Sequence, residues 1–138
     1  LIFYGRDQRD DIPIGSATRR SADTSGVTMD DGHTPSERIA AEVGGWPGVM
    51  VDDGELGELA FKVGRRELGH LHGERVAHFS FPRPLWHELA AAGRIGPHPV
   101  FPDRVGPAAR RIVTDADERD VVALFRLNYD RLAGRASA

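Results

Sequence analysis

The chain has no cysteine. Disulfides, thiolate metal sites and cysteine nucleophiles are therefore excluded, and the composition suits a reducing compartment, with the cytoplasm as the expectation. It has no excess of basic charge: 18 Lys and Arg stand against 21 Asp and Glu, a net charge of −3. No global field draws in nucleic acid or anionic lipid, so neither is expected as a partner. No apolar run approaches the ~20 residues of a membrane span. The first residues lack the apolar stretch and small-residue cleavage site of a secretory signal. There is no Gly-Lys-Ser/Thr phosphate loop and no Gly-x-Ser-x-Gly elbow, so neither nucleotide cleavage nor that form of serine catalysis is indicated. No internal repeat and no cofactor motif is visible.

What is present is enough for one domain: 138 residues, of which 40% are apolar. Residues 1–28 differ from the rest. After the short apolar start Leu1–Tyr4 they carry Arg6, Asp7, Arg9, Asp10, Asp11, Arg19 and Arg20 with no sustained period. Such a segment buries too little apolar surface to offset its ordering entropy, and a flexible leader is expected there. The first methionine is Met29, a plausible natural start, with a mis-read initiation codon as the origin of Leu1. The alternative is a real strand at Leu1–Tyr4. The folded domain is expected over 29–138.

Within it, a helix is expected from Ser36, capped by that serine and carrying Ile39, Ala40 and Val43 on one face. Short strands follow at Val49–Val51, Leu59–Val63, Arg66–His72 and Arg75–Phe81, separated by turn signals that imply an antiparallel meander. Pro84 then opens a helix striped by Leu85, Trp86, Leu89 and Ala92. The proline-rich stretch from Ile95 to Gly106 reads as a shaped loop. A last strand is expected at Arg110–Val113. A final helix carries Val122, Phe125, Tyr129 and Leu132, with Asp115 and Glu118 at capping-box spacing. The fold class is α+β: an antiparallel sheet of four to five strands with helices packed on one face.

The chemistry concentrates in Glu67-Leu-Gly-His70-Leu-His72-Gly-Glu74-Arg75-Val-Ala-His78. His70 and His72 share a face of their strand, roughly 7 Å apart. They could share a proton or hold a metal given a third ligand from His98, Glu67, Glu74 or Asp103. A two-residue Gly73-Glu74 loop would pair His70 with Ala77. It would set His78 opposite Gly69, on the other face, unless a bulge brought it round. The spacing Gly64-x5-His70-x-His72 matches the opening of the metal-binding cupin pattern. The Glu that the pattern requires next is missing from Arg75–Ala77, and no second half-motif follows. Arg83, beside a helix start, could hold an anion. Glu55, Glu58 and Glu67 alternate with apolar residues and read as a solvent face, and Trp46 and Trp86 as packing residues.

Gly69-His-Leu-His-Gly73, Ala77-x-Phe79-x-Phe81-Pro-Arg83, the helix to Gly93, Pro97-His98-x-x-x-Pro102 and Leu127-Asn-Tyr129 together resemble the small bacterial and fungal luciferase-domain family, over roughly residues 36–134. Where that family often has an acidic residue after the fourth-strand Ala, this chain has His78. The family name does not imply light emission here, because nothing resembles the flavin-dependent barrels or the adenylating two-domain enzymes. The element order is also similar to YjbR-like domains at the level of layout alone. The resulting expectation is a small-molecule or peptide-binding domain with a polar groove of His70, His72, Arg83 and His98. The alternative is a small enzyme using histidine acid–base chemistry or a metal at His70 and His72.

Overall fold

The computed structural model describes residues 32–137. The expected leader at 1–28 and the alternative strand at Leu1–Tyr4 lie outside the described residues.

The first helix, α1, spans Pro35–Gly44. Its cap is Thr34, two residues ahead of the expected Ser36. Thr34 Oγ1 accepts from the Glu37 amide at 3.2 Å, and Glu37 Oε1 accepts from the Thr34 amide at 2.9 Å. Pro35 explains the shift: it has no N–H to satisfy and suits the first helical position, so the cap falls before it. Ser36 is left to bond elsewhere. Its amide and hydroxyl both donate to the Glu74 carboxylate, at 2.7 and 2.6 Å.

Four strands follow: β1 (Val49–Asp53), β2 (Leu59–Val63), β3 (Arg66–His72) and β4 (Val76–Ser80). Helix α2 (Arg83–Ala91), the two-residue β5 (Gly96–Pro97), β6 (Pro107–Arg111) and the long helix α3 (Asp115–Ser137) complete the order. The strands form one six-stranded antiparallel sheet in the order β1-β2-β3-β4-β6-β5. This is the expected α+β architecture with a slightly higher strand count. β5 lies inside the stretch read as a loop, and β6 opens at Pro107, ahead of Arg110. A proline is compatible with the first position of a strand, which is where it stands.

α1 and α3 pack on one face of the sheet, in a core that includes Ile39, Val43, Phe61, Leu68, Leu71, Ala77, Phe79, Val121, Leu124 and Phe125. The Phe125 ring lies 5.0 Å from Phe61 and 4.8 Å from Phe79, edge-on to both. α3 starts with a reciprocal cap between Thr114 and Asp117, the Asp117 amide donating to Thr114 Oγ1 at 3.1 Å and the Thr114 amide to Asp117 Oδ2 at 3.0 Å. The Asp115–Glu118 box therefore does not form. Glu118 instead takes both guanidinium contacts of Arg38, at 2.8 and 2.9 Å, and joins α3 to α1.

Two irregularities position everything that follows. The first is a bulge in β3. Phe61 pairs with Gly69 but Lys62 pairs with Glu67, so Leu68 is an extra residue. Its freed carbonyl is not orphaned: the fully buried Asn128 of α3 donates to Leu68 O at 3.0 Å and to Ser80 O at 3.2 Å. Gly69 is required at this point because a Cβ would stand 2.8 Å from the His78 carbonyl oxygen and 2.7 Å from the Phe79 ring. The second is the β3–β4 connection, a three-residue loop Gly73-Glu74-Arg75 between the paired His72 and Val76. Gly73 takes φ +67° there, a conformation glycine reaches without penalty.

Candidate metal centre

The loop length decides which histidines meet. With three loop residues in place of two, every partner on β4 moves by one position, and a one-residue shift moves side chains to the opposite face. His70 therefore pairs with His78, and His72 with Val76. His70, His72 and His78 share the face of the sheet turned away from α3. This corrects the expected separation of His78, which resulted from assuming a two-residue loop.

The bulge decides the fourth participant. Residues three apart on a regular strand point to opposite faces. The extra residue at Leu68 puts Glu67 on the face of His70, where Glu67 Oε2 lies 2.7 Å from His70 Nδ1. Glu67, whose side chain is 42% exposed, is thus a partner of the cluster at its solvent-facing edge. The His70 bond holds its carboxyl below the usual carboxylate range.

The rings are tightly gathered. Centroids of His70 and His72 are 5.0 Å apart, those of His70 and His78 5.2 Å, and those of His72 and His78 4.7 Å. One nitrogen from each of the three lies within 4.8 Å of the others. His98, on the segment after β5, brings its ring to 4.2 Å from that of His78. The row across the sheet through the central pair reads Ala60, His70, His78, Ala109, Gly96. Small neighbours on both sides leave room for the imidazoles.

The hydrogen bonds set the tautomers. An ionised Glu67 only accepts, so His70 Nδ1 carries a hydrogen, and in the neutral ring His70 Nε2 presents a lone pair. His78 Nδ1 lies 3.3 Å from that lone pair and donates to it. His78 Nε2 is then a lone pair as well. It is buried and has no hydrogen-bond partner among the described residues, in a side chain only 2% exposed. Burial, and secondarily the charges of His98, His70 and His72, push the His78 imidazole down to about 3. Burial is also the main cause that lowers His72 and His98. These three rings are consequently neutral near pH 7, the form that binds metals.

The other sequence candidates sit elsewhere. Arg83 is the first residue of α2, exposed, and takes no part in the ring contacts. Glu74 is held by Ser36, and Asp103 is exposed on the loop before β6. Trp86 donates its indole N–H to Pro107 O at 3.0 Å, and Trp46 lies 5.2 Å from the Tyr129 ring, both as packing residues. Sequence reasoning named Glu67 as one of four possible third ligands, set His78 on the other face unless a bulge intervened, and missed Asn128. A signal for the bulge was available in Gly69, a glycine inside a strand pattern.

The site thus belongs to a small α+β domain carrying a histidine cluster on the face of its sheet turned away from α3. Residues 65–128 match the family model of the Luciferase domain. The matched stretch holds all four clustered histidines, Glu67, and Asn128 at its last position. No curated protein and no solved structure matches the chain. Among the described residues, no helix is long and apolar enough to cross a membrane.

Proposed function

We propose that the domain binds a divalent transition-metal ion through His70, His72 and His78, and that this centre is its point of attachment for a small molecule. The observation that carries the reading is the buried, unpartnered Nε2 of His78 inside a group of three converging imidazoles. An unsatisfied buried polar atom costs about 1–3 kcal/mol, and a ligand that accepts its lone pair removes that cost. The spacing agrees. Two nitrogens on a tetrahedral zinc with bonds of ~2.0–2.1 Å lie about 3.3–3.4 Å apart, and one nitrogen from each of the three histidines lies within 4.8 Å of the others, so ring rotations that release the His70–His78 hydrogen bond bring them to a common ion. Glu67 on His70 Nδ1 is the carboxylate that such ligating histidines generally use to fix their orientation. An all-imidazole donor set favours zinc, copper, nickel or cobalt over magnesium or calcium.

A second reading takes the chain Glu67–His70–His78 as a proton relay with His78 Nε2 as general base. The bond geometry allows it, but the basicity does not favour it. An efficient base is poised near the working pH, and a ring held at about 3 is far below it. A neutral, weakly basic imidazole suits a metal better than a proton.

Metal analysis of purified protein and zinc titration after chelator treatment test the proposal. About one equivalent bound, with a rise in melting temperature, is expected. Less than a tenth of an equivalent and no thermal response to zinc, nickel or cobalt would sink it.

A further inference from the structure

Three imidazoles leave a fourth position on a tetrahedral ion, and a fourth imidazole, His98, stands beside them. Its ring centroid is 4.2 Å from that of His78, tilted by 41°. His98 is not one of the three residues whose nitrogens converge. Its hydrogen bond sets its tautomer. Nδ1 accepts the Val100 amide hydrogen at 3.1 Å, so a neutral His98 carries its hydrogen on Nε2 and has no lone pair there to give to a metal. The ring edge bearing Nδ1 is turned back to its own loop, and the edge left for the cluster is the N–H edge.

We infer that His98 is a positioning residue for the exchangeable ligand of the centre, donating Nε2–H to a metal-bound oxygen or small anion such as a carboxylate. The inference rests on the three-histidine metal reading and deepens it: the site is of the open kind, with three protein ligands and one exchangeable position. The exchangeable ligand is an anionic oxygen donor, because it must satisfy both a cation and an N–H donor at once. The surroundings agree with a site that admits a ligand from solvent. His98 is followed by exposed Val100 and by Phe101, whose ring is 5.5 Å from His98 and whose face carries the Arg104 guanidinium at 5.2 Å. That guanidinium is a second favourable charge on the approach for an anion.

The test uses the full chain loaded with cobalt(II), whose visible absorption reports coordination, titrated with acetate and with azide. Wild type, His98→Ala and His98→Gln are compared. His98→Ala is expected to bind one equivalent of cobalt as wild type does, but to bind acetate about five- to tenfold more weakly, the loss of one hydrogen bond. His98→Gln, which keeps an N–H donor, should recover part of the difference. Unchanged acetate and azide affinity in His98→Ala would overturn the positioning role. Loss of cobalt stoichiometry in His98→Ala would overturn it too, by making His98 a fourth ligand. Failure of wild type to bind cobalt would instead defeat the underlying metal reading, so the two failures are distinguishable.

Discussion

Replacing His78 by leucine should reverse the stability order of the two proteins according to whether metal is present. His78 is almost completely buried with an unpartnered nitrogen. Leucine removes that nitrogen, relieving about 1–3 kcal/mol, and fills most of the same volume with apolar atoms. The loss is one hydrogen bond to His70 Nε2, worth about 0.5–1.5 kcal/mol. His70 is only partly buried, its side chain 27% exposed, so water can serve the acceptor that is freed. In chelator the His78→Leu variant should therefore be more stable by about 1 kcal/mol, a rise of roughly 3–5 °C in melting temperature for a domain of this size. With zinc at a hundredfold excess over its dissociation constant, wild type gains about 2.7 kcal/mol and the variant nothing. The curves of melting temperature against zinc concentration must cross. Urea unfolding monitored by circular dichroism, in chelator and in zinc, reads both arms. A variant destabilised by more than about 1 kcal/mol in chelator, or one with the full zinc increment, would refute the reasoning.

The pH dependence in chelator has a definite sign. The His78 imidazole is depressed to about 3 by burial first and then by the neighbouring histidine charges, whereas an unfolded chain titrates it near ~6.5. The unfolded state takes up the proton first, so the stability is present above about pH 6.5 and is lost as pH falls towards about 3, at about 1.4 kcal/mol per pH unit. His78→Leu should flatten the profile by one proton in that window, and parallel profiles for the two proteins would count against it. Glu67→Gln removes the charge 2.7 Å from His70 Nδ1 and should weaken zinc binding about tenfold, as read by competition with a chromophoric chelator; an unchanged dissociation constant would deny Glu67 any part in the centre. Asn128→Ala removes both donors from Leu68 O and Ser80 O and should cost about 2–4 kcal/mol in urea unfolding. Zinc affinity should fall with it, because the bulge that aims Glu67 loses its support; a loss below about 1 kcal/mol would show that the bulge holds itself.

Much of the architecture was legible from local signals. Gly and Pro punctuation separated the strands Leu59–Val63 and Arg66–His72, whose bounds are as expected. The stripe of Phe125, Tyr129 and Leu132 marked the buried side of α3. The ends of elements moved where two local rules competed. Pro35 displaced the cap from Ser36 to Thr34, and Thr114 took the capping role expected of Asp115. β5 was invisible in the sequence because a two-residue strand has no period. It exists only because β6 offers it an edge, with Gly96 against Ala109.

The candidate site was legible as composition and not as geometry. The sequence by itself determined that the histidines are dense, that no thiol competes with them, and that His70 and His72 share a face. These follow from residue identity and from the period of a strand. The convergence of His78 was decided by one extra loop residue at Gly73-Glu74-Arg75, and that of Glu67 by one extra strand residue at Leu68. Neither count can be read locally. Each is settled by what the rest of the fold demands: Glu74 is tied to Ser36 of α1, and Asn128 of α3 holds the bulge carbonyl. In a sheet the side chains alternate with a period of two, so a single residue of register separates a cluster of imidazoles from a scatter of them. Only the tertiary contacts across the sheet and to its helices decide between the two.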